Sequence, residues 1–342
     1  MRTEKAVYMY GGAKLKRQRF ERRQGHTIRR TQTAIVSAGL AALTLALMPP
    51  AAADNALAGS TPVDTPLYID PNQQAIAAAQ DDHRFDPIAK TPQAKWFTDW
   101  STSDTAQNDV GEYLAGAAAA HAVPVLVLYR IPERDCGGWS SGGADSEQEY
   151  KDWVKGVATA LKGHRDAMVI LEPDALPQLG KCDQDDRLGT LKFAVNKLST
   201  TGARVYIDIG NEDWLSPDEA ARRLKEVGVG KVTGFSVNVA AHYNTGSEVL
   251  YAETVRSELA KLGIDDAHFV VDVGRNGAGP QPDNCNPPGA RLGQPPRLYR
   301  GGALDGLLWI INPGETDGAC RGGPDVGFWP PAALSLLGLA GS

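Results

Sequence analysis

Residues 168–174 read Met168-Val169-Ile170-Leu171-Glu172-Pro173-Asp174, four apolar residues that stop at two carboxylates set around a proline. A short run that is apolar on both faces suits a strand covered from both sides, as in a parallel sheet wrapped by helices. Five other runs share that character: Val123–Tyr129, Arg204–Ile209, Gly234–Val239, His268–Val273 and Gly306–Ile311. Helix-like segments lie between them, among them Glu147–Leu161, Leu188–Thr200, Pro217–Val227 and Ser247–Leu262. Strands alternating with helices imply βα units and a parallel sheet. Six or more such units favour a closed barrel over an open sheet. The expected fold class is α/β, in one domain over residues 66–342.

The residues that follow each run repeat the pattern of the first. Tyr129 leads to Ile131-Pro132-Glu133-Arg134-Asp135-Cys136, and Ile209 to Gly210-Asn211-Glu212-Asp213-Trp214. Val237 leads to Asn238, Val271 to Asp272, and Ile311 to Asn312-Pro313-Gly314-Glu315-Thr316-Asp317. At any one strand end, Asp, Asn and Gly are also ordinary turn formers. Their recurrence at five or six ends points instead to a site on the C-terminal face of a barrel. Carboxyl groups can deliver a proton to a leaving oxygen and stabilise charge at a sugar carbon, while aromatic faces hold the rings. Of Trp96, Trp100, Trp139, Trp153 and Trp214, the helically spaced Trp153 is expected to pack. Trp96 and Trp214 are the better stacking candidates.

The ends of the chain set its context. Residues 1–33 carry ten Lys/Arg against two Glu, and the apolar stretch Ala34–Met48 is followed by Pro49-Pro50-Ala51-Ala52-Ala53-Asp54. That order reads as an export signal over 1–53, its apolar part short of the roughly 20 residues a bilayer span needs. Residues 54–65 are small, polar and proline-containing, and read as a linker. From residue 54 onward 25 Lys/Arg face 39 Asp/Glu, a balance of −14. Such an acidic balance argues against nucleic-acid and anionic-membrane partners and suits a secreted monomer acting on a neutral polymer. The four cysteines, Cys136, Cys182, Cys285 and Cys320, form no C-x-x-C pair. An even count in an exported chain reads as two disulfides with three possible connectivities. Sequential pairing, 136–182 and 285–320, is expected because each bond then ties neighbouring loops. No metal or organic cofactor is expected.

Several long motifs, in order, resemble glycoside hydrolase family 6. They are Tyr129–Gly138 continuing to Ser141-Gly142-Gly143, Val169–Pro177, Tyr206–Trp214, Gly234–Val239, Phe269–Asp272 running to Arg275-Asn276-Gly277, Cys285–Gly289 and Pro313–Gly318. The resemblance covers about Leu67 to Trp329. It implies a distorted parallel barrel of about seven strands and inverting cleavage of β-1,4-glucans such as cellulose. By position it makes Asp174 the general acid. Asp135 becomes the second aspartate, which keeps that acid protonated and supports the attacking water. Ser141 would hold the water, Tyr129 would lie beneath the reacting ring, and Asp317 would be the carboxylate proposed as base. Trp96, Arg134, Trp214, Asn238 and Glu315 fall where sugar is held, and the cysteine pairing is the same.

Four positions depart from that pattern. Ile311 stands where the resemblance implies Lys, Asn211 where it implies His, Asn284 where it implies Trp, and Ala241 where it implies Asn. Each lost hydrogen bond or stacking face is worth about 1 kcal/mol. The expectation is an intact proton-transfer centre with altered sugar recognition. Three other readings fit parts of the sequence. Gly138-Trp139-Ser140-Ser141-Gly142 fits the pattern of a nucleophile elbow but lies nine residues past Tyr129, too far from the strand. A retaining glycosidase using Glu212 and Glu315 leaves the motifs around Asp135 and Asp174 unexplained. A non-catalytic glycan binder would bind glucan and release no reducing sugar. The brevity of the chain leaves little room for enclosing loops, which favours an open cleft and internal cleavage.

Overall fold

The structure is a computed structural model that describes residues 59–182 and 186–340. The expected export signal lies outside the described residues. Seven parallel strands form the barrel wall: β2 (Lys95–Phe97), β3 (Val125–Leu128), β4 (Met168–Leu171), β5 (Arg204–Asp208), β6 (Gly234–Val237), β7 (His268–Asp272) and β9 (Leu304–Leu308). Two further strands, β1 (Thr61–Val63) and β8 (Arg297–Arg300), pair antiparallel with β8 and β9 respectively. The sheet order is β1-β8-β9-β7-β6-β5-β4-β3-β2. This is the distorted α/β barrel expected from the sequence.

The distortion lies at one seam. β2 and β9 share no ladder of their own, because β8 occupies the free edge of β9. Just above them the wall closes through Ala94 N–H to Trp309 O at 2.9 Å and through the Trp96 indole N–H to Ile310 O at 2.7 Å. Lower down, the N-terminal segment fills the gap: Val123 N–H reaches Pro66 O at 2.8 Å, and Tyr68 N–H reaches Val123 O at 2.9 Å. Residues 61–63, read above as linker, are therefore a strand. Thr61 and Val63 favour extended backbone, and the pairing partner is too distant in sequence for local composition to announce it.

Both faces of the wall are apolar, which is why its strands lack polar alternation. Val125, Val127, Met168, Ile170, Tyr206, Val270 and Leu308 point into the barrel and form one buried cluster. Leu126, Leu128, Val169, Leu171, Val205, Ile207, Phe235 and Val271 face outward into a larger one with the helices. Fully burying such a side chain contributes about 1.5–3 kcal/mol. The covering helices are α1 (Gln74–Asp81), α2 (Asp86–Ala89), α3 (Ala106–Ala119), α4 (Glu147–Leu161), α5 (Arg187–Leu198), α6 (Pro217–Val227), α7 (Thr245–Lys261) and α8 (Pro330–Leu336). Two of them match the sequence limits to the residue because their ends are chemically marked. Ser146 caps α4 by accepting from Glu149 N–H. Pro217 opens α6 and Gly228, at φ 101°, closes it in the left-handed region. Trp153 is fully buried, as its spacing implied.

Candidate active site

Three buried carboxyl groups tie the strand ends together. Glu172, just past β4, accepts Arg130 N–H at 3.0 Å and Ile131 N–H at 3.0 Å from the end of β3. Asp208, the last residue of β5, accepts Asp174 N–H at 2.9 Å and Gly210 N–H at 3.0 Å on Oδ1, and the Ser236 hydroxyl at 3.2 Å on Oδ2. Asp272, the last residue of β7, accepts Gly274 N–H at 2.9 Å, Ala240 N–H at 3.0 Å and Ile311 N–H at 2.9 Å. Each group satisfies loop N–H donors that turn away from the sheet and would otherwise be orphaned. Burial lifts all three above the usual carboxyl range, Glu172 to about 7.

Above this floor sits Asp174. Its side chain is half-buried, and it is lifted to about 7, first by loss of solvent and then by the like charge of Asp135. A carboxyl group that stays protonated near neutrality can donate a proton. Asp135 is held from two sides: Ser140 N–H donates to Oδ2 at 2.9 Å, and the Gln178 amide donates to Oδ1 at 3.3 Å. The loop that carries Asp135 and Ser141 is anchored by Arg134, whose five N–H donors are all engaged. Nε donates to Ser140 O at 2.8 Å, Nη1 to Asp99 at 3.0 Å and Tyr129 O at 2.8 Å, and Nη2 to Asp99 and Ser141 O at 3.2 Å each. Arg134 thus builds the loop and has no donor to spare for a ligand. At the end of the same loop Gly143, at φ 103°, donates to Asp99 at 3.1 Å, and a Cβ there would collide with Ile131 O.

A cleft of about 530 Å³ runs across the C-terminal face and brings together Trp96, Tyr129, Arg134, Ser141, Asp174, Glu315 and Asp317. Tyr129 and Trp96 meet edge to face with ring centroids 5.3 Å apart, making an aromatic floor. Trp139 and Trp100 line the rim, 63% and 52% exposed. Burial lifts Glu315 to about 7, opposed by the charge of Lys95. Asp317 is gripped by Arg275, whose Nη1 lies 2.6 and 2.7 Å from its two oxygens, and it also accepts Asn286 N–H at 2.8 Å.

Other candidates lie elsewhere. Asn238 is fully buried: its amide donates to Asp272 O at 2.8 Å and Tyr243 O at 3.2 Å, and its oxygen accepts Tyr243 N–H at 3.1 Å. It secures the β6 loop and does not line the cleft. Trp214 packs beside Gly210 and Pro177, with Lys181 Nζ 4.6 Å above its ring, and is not among the cleft-lining residues. Among the departures, Ile311 lies in the cleft wall and Asn211 and Ala241 are buried, while Asn284 neighbours His242. Both expected disulfides, Cys136–Cys182 and Cys285–Cys320, are formed.

Sequence reasoning passed over Asp208, Arg275 and Asp99. A signal existed for Asp208 alone, since it shares the period-two face of Tyr206 and therefore points into the barrel. Backbone strain was invisible in the sequence. Among the described residues, nine non-glycine residues with positive φ, including Asp135, Glu172, Asp174, Asn238 and Asn286, sit on the loops past the strand ends. Strain gathered on one face in this way marks a functional site.

Carboxyl groups lifted toward neutrality by burial, set above an aromatic floor at the C-terminal end of a distorted α/β barrel, define a protein of the carbohydrate-active barrel class. Residues 63–329 match the family Glycosyl hydrolases family 6, and the chain belongs to it. It is 44% identical over 278 residues to Endoglucanase A of Cellulomonas fimi, covering 79% of this chain and 60% of that one. The chain therefore spans about three fifths of that relative's length. It is 39% identical over 319 residues to Endoglucanase 1 of Streptomyces halstedii, covering 88% and 96% of the two. Among solved structures, the endoglucanase Cel6 of Mycobacterium tuberculosis, in complex with a methyl-cellobiosyl-thio-cellobioside, is 39% identical with a TM-score of 0.75. That match covers 82% of this chain and 99% of the other.

Proposed function

We propose that the chain is a secreted, inverting glycoside hydrolase that cuts internal β-1,4-glucosidic bonds, with Asp174 as proton donor. The observation that carries this reading is the state of Asp174, lifted to about 7 at the edge of a cleft floored by Tyr129 and Trp96. A glucan chain lying on that floor would present its glycosidic oxygen to the Asp174 carboxyl. As the bond breaks, the proton passes to the leaving oxygen, and the sugar carbon gains positive charge that the nearby carboxylates stabilise. Ser141 and Asp135, on one loop, hold and polarise the water that attacks from the opposite face. Asp317, clamped by Arg275, lies beside the path of that water and takes up the proton the water loses as it bonds to the sugar carbon. Trp96 and Glu315 hold the neighbouring sugar. Arg134 and Asn238 act through the loops they secure. The named endoglucanases at 39–44% identity support the substrate class, and the two disulfides fit an oxidising compartment.

The test is proton NMR of the first-formed product from a cello-oligosaccharide, together with Asp174→Asn. Inversion predicts that the α-anomer appears first, and that Asp174→Asn loses about 10²–10⁴-fold in kcat while still binding the oligosaccharide. Retention of the β-anomer would sink the mechanism. Unchanged turnover by Asp174→Asn would remove Asp174 from the role of acid.

A further inference from the structure

The barrel has a second mouth, at the end away from the cleft. A cavity of about 580 Å³ opens there, lined by residues around the starts of β3, β4 and β5 and by the last residues of β8. It shares no lining residue with the cleft. Val123 and Leu298, both buried, give it an apolar floor. Three arginines stand around that floor: Arg165 in the turn before β4, Arg204 at the start of β5, and Arg300 at the end of β8.

The three come from distant parts of the chain, and the fold brings them together. Arg204 N–H reaches Ala167 O at 2.9 Å and its Nη2 reaches Asp166 O at 3.1 Å, which ties the turn carrying Arg165 to β5. The aliphatic stem of Arg165 lies where a Cβ at Gly202 would touch it. Arg300 is fixed opposite Thr61 in the β1–β8 ladder.

Elsewhere in this chain an arginine usually has a carboxylate partner. Of fourteen arginines among the described residues, eight form ion pairs. Arg165, Arg204 and Arg300 form none among the described residues, and Asp166 is the one carboxylate in the cavity lining. Three guanidinium groups less one carboxylate, with His121 counted as neutral, give a local balance of +2. The chain from residue 54 onward has a balance of −14, so this concentration of cations runs against the whole. Like charges gathered around one cavity repel each other, and a bound anion relieves that repulsion. The shape of the anion follows from the donors. A planar carboxylate is satisfied by a single guanidinium fork. Forks arriving from three elements suit a tetrahedral group with three free oxygens, and a balance of +2 suits a dianion.

We propose that this second mouth binds a dianionic phosphoryl group, either free phosphate or the head of a small phosphomonoester whose body rests on the apolar floor. The site is independent of the reading of the cleft.

The test is isothermal titration calorimetry of the purified protein at neutral pH and low salt. The probes are inorganic phosphate, glucose 1-phosphate and, as a carboxylate control, glucuronate. Both phosphates are expected to bind, with glucuronate at least tenfold weaker. Tighter binding of glucose 1-phosphate assigns the site to phosphomonoesters; equal or tighter binding of inorganic phosphate assigns it to the free ion. Arg165→Gln and Arg300→Gln are each expected to weaken phosphate binding about tenfold, since each removes a charge-assisted hydrogen bond. Arg300→Lys keeps the charge without the fork and is expected to lose less. An unchanged Tm and circular dichroism spectrum show that the variants are folded. Absence of phosphate binding by the unaltered protein would overturn the inference. So would glucuronate bound as tightly as phosphate, or affinities unchanged in both glutamine variants.

Discussion

Asp135 acts on Asp174 through its charge, and that influence can be separated from the part proposed for it in holding water. Replacing Asp135 with Asn keeps an oxygen for Ser140 N–H but removes the like charge that helps hold the proton on Asp174. In the proposed role of general acid Asp174 works protonated, so turnover is expected to fall as pH rises through about 7. Asp135→Asn is expected to move this alkaline limb to lower pH, along with an overall loss in kcat, as read from kcat measured against pH. A limb that stays in place would mean burial alone sets the acidity of Asp174. Asp135 and Asp174 were both legible in the sequence, because each follows an apolar strand within a long motif. Their support was not. Asp208 looks like the tail of a strand, Arg275 sits about 40 residues from the Asp317 it clamps, and the positive φ of Asp174 leaves no trace in residue type.

At the scale of elements, the loop from Arg134 to Gly143 is the part of the site with least local structure and most fastening. It lacks a helix or strand of its own beyond one short turn at Asp135–Gly137, and it is fixed by the Arg134 contacts and by Cys136–Cys182. That bond closes a loop of 46 residues, which in the chain-entropy model stabilises the fold by up to about 4 kcal/mol. The double variant Cys136→Ser/Cys182→Ser is expected to lower Tm and to lower kcat more than it raises KM. It loosens Asp135 and Ser141 while leaving Trp96 and Tyr129 in place, and calorimetry with steady-state kinetics reads both effects. An unchanged kcat would show that Arg134 alone suffices. Long elements with marked ends, such as α4 and α6, were read to the residue. β1, β2 and β8 escaped because runs of three or four residues carry no period, and their partners are fixed only by closure of the barrel.

Over the whole molecule, buried carboxyl groups make stability depend on pH in a definite sense. Glu172, Asp174 and Glu315 are lifted to about 7 and Glu248 to about 8, whereas in the unfolded chain such groups titrate near 4. The folded state therefore keeps protons that the unfolded state has released. The contribution is whole below about pH 4 and is lost as pH rises toward 8. Glu219, lowered to about 2 by Arg222, works in the opposite sense: its share is present above about pH 4 and lost as pH falls toward 2. Maximum Tm is expected in mild acid. Glu248→Gln keeps an acceptor for Glu212 N–H, and should raise Tm more at pH 8 than at pH 5 in thermal melts. Equal shifts at both pH values would count against a buried, protonated Glu248. The barrel seam carries a last consequence. Of the two hydrogen bonds that close it from above, one comes from the indole of Trp96, which also floors the cleft. Occupancy of the cleft and closure of the ring therefore share one free energy. By reciprocity, whatever stacks on that indole braces the barrel, and whatever slackens the barrel loosens the grip on what is stacked there.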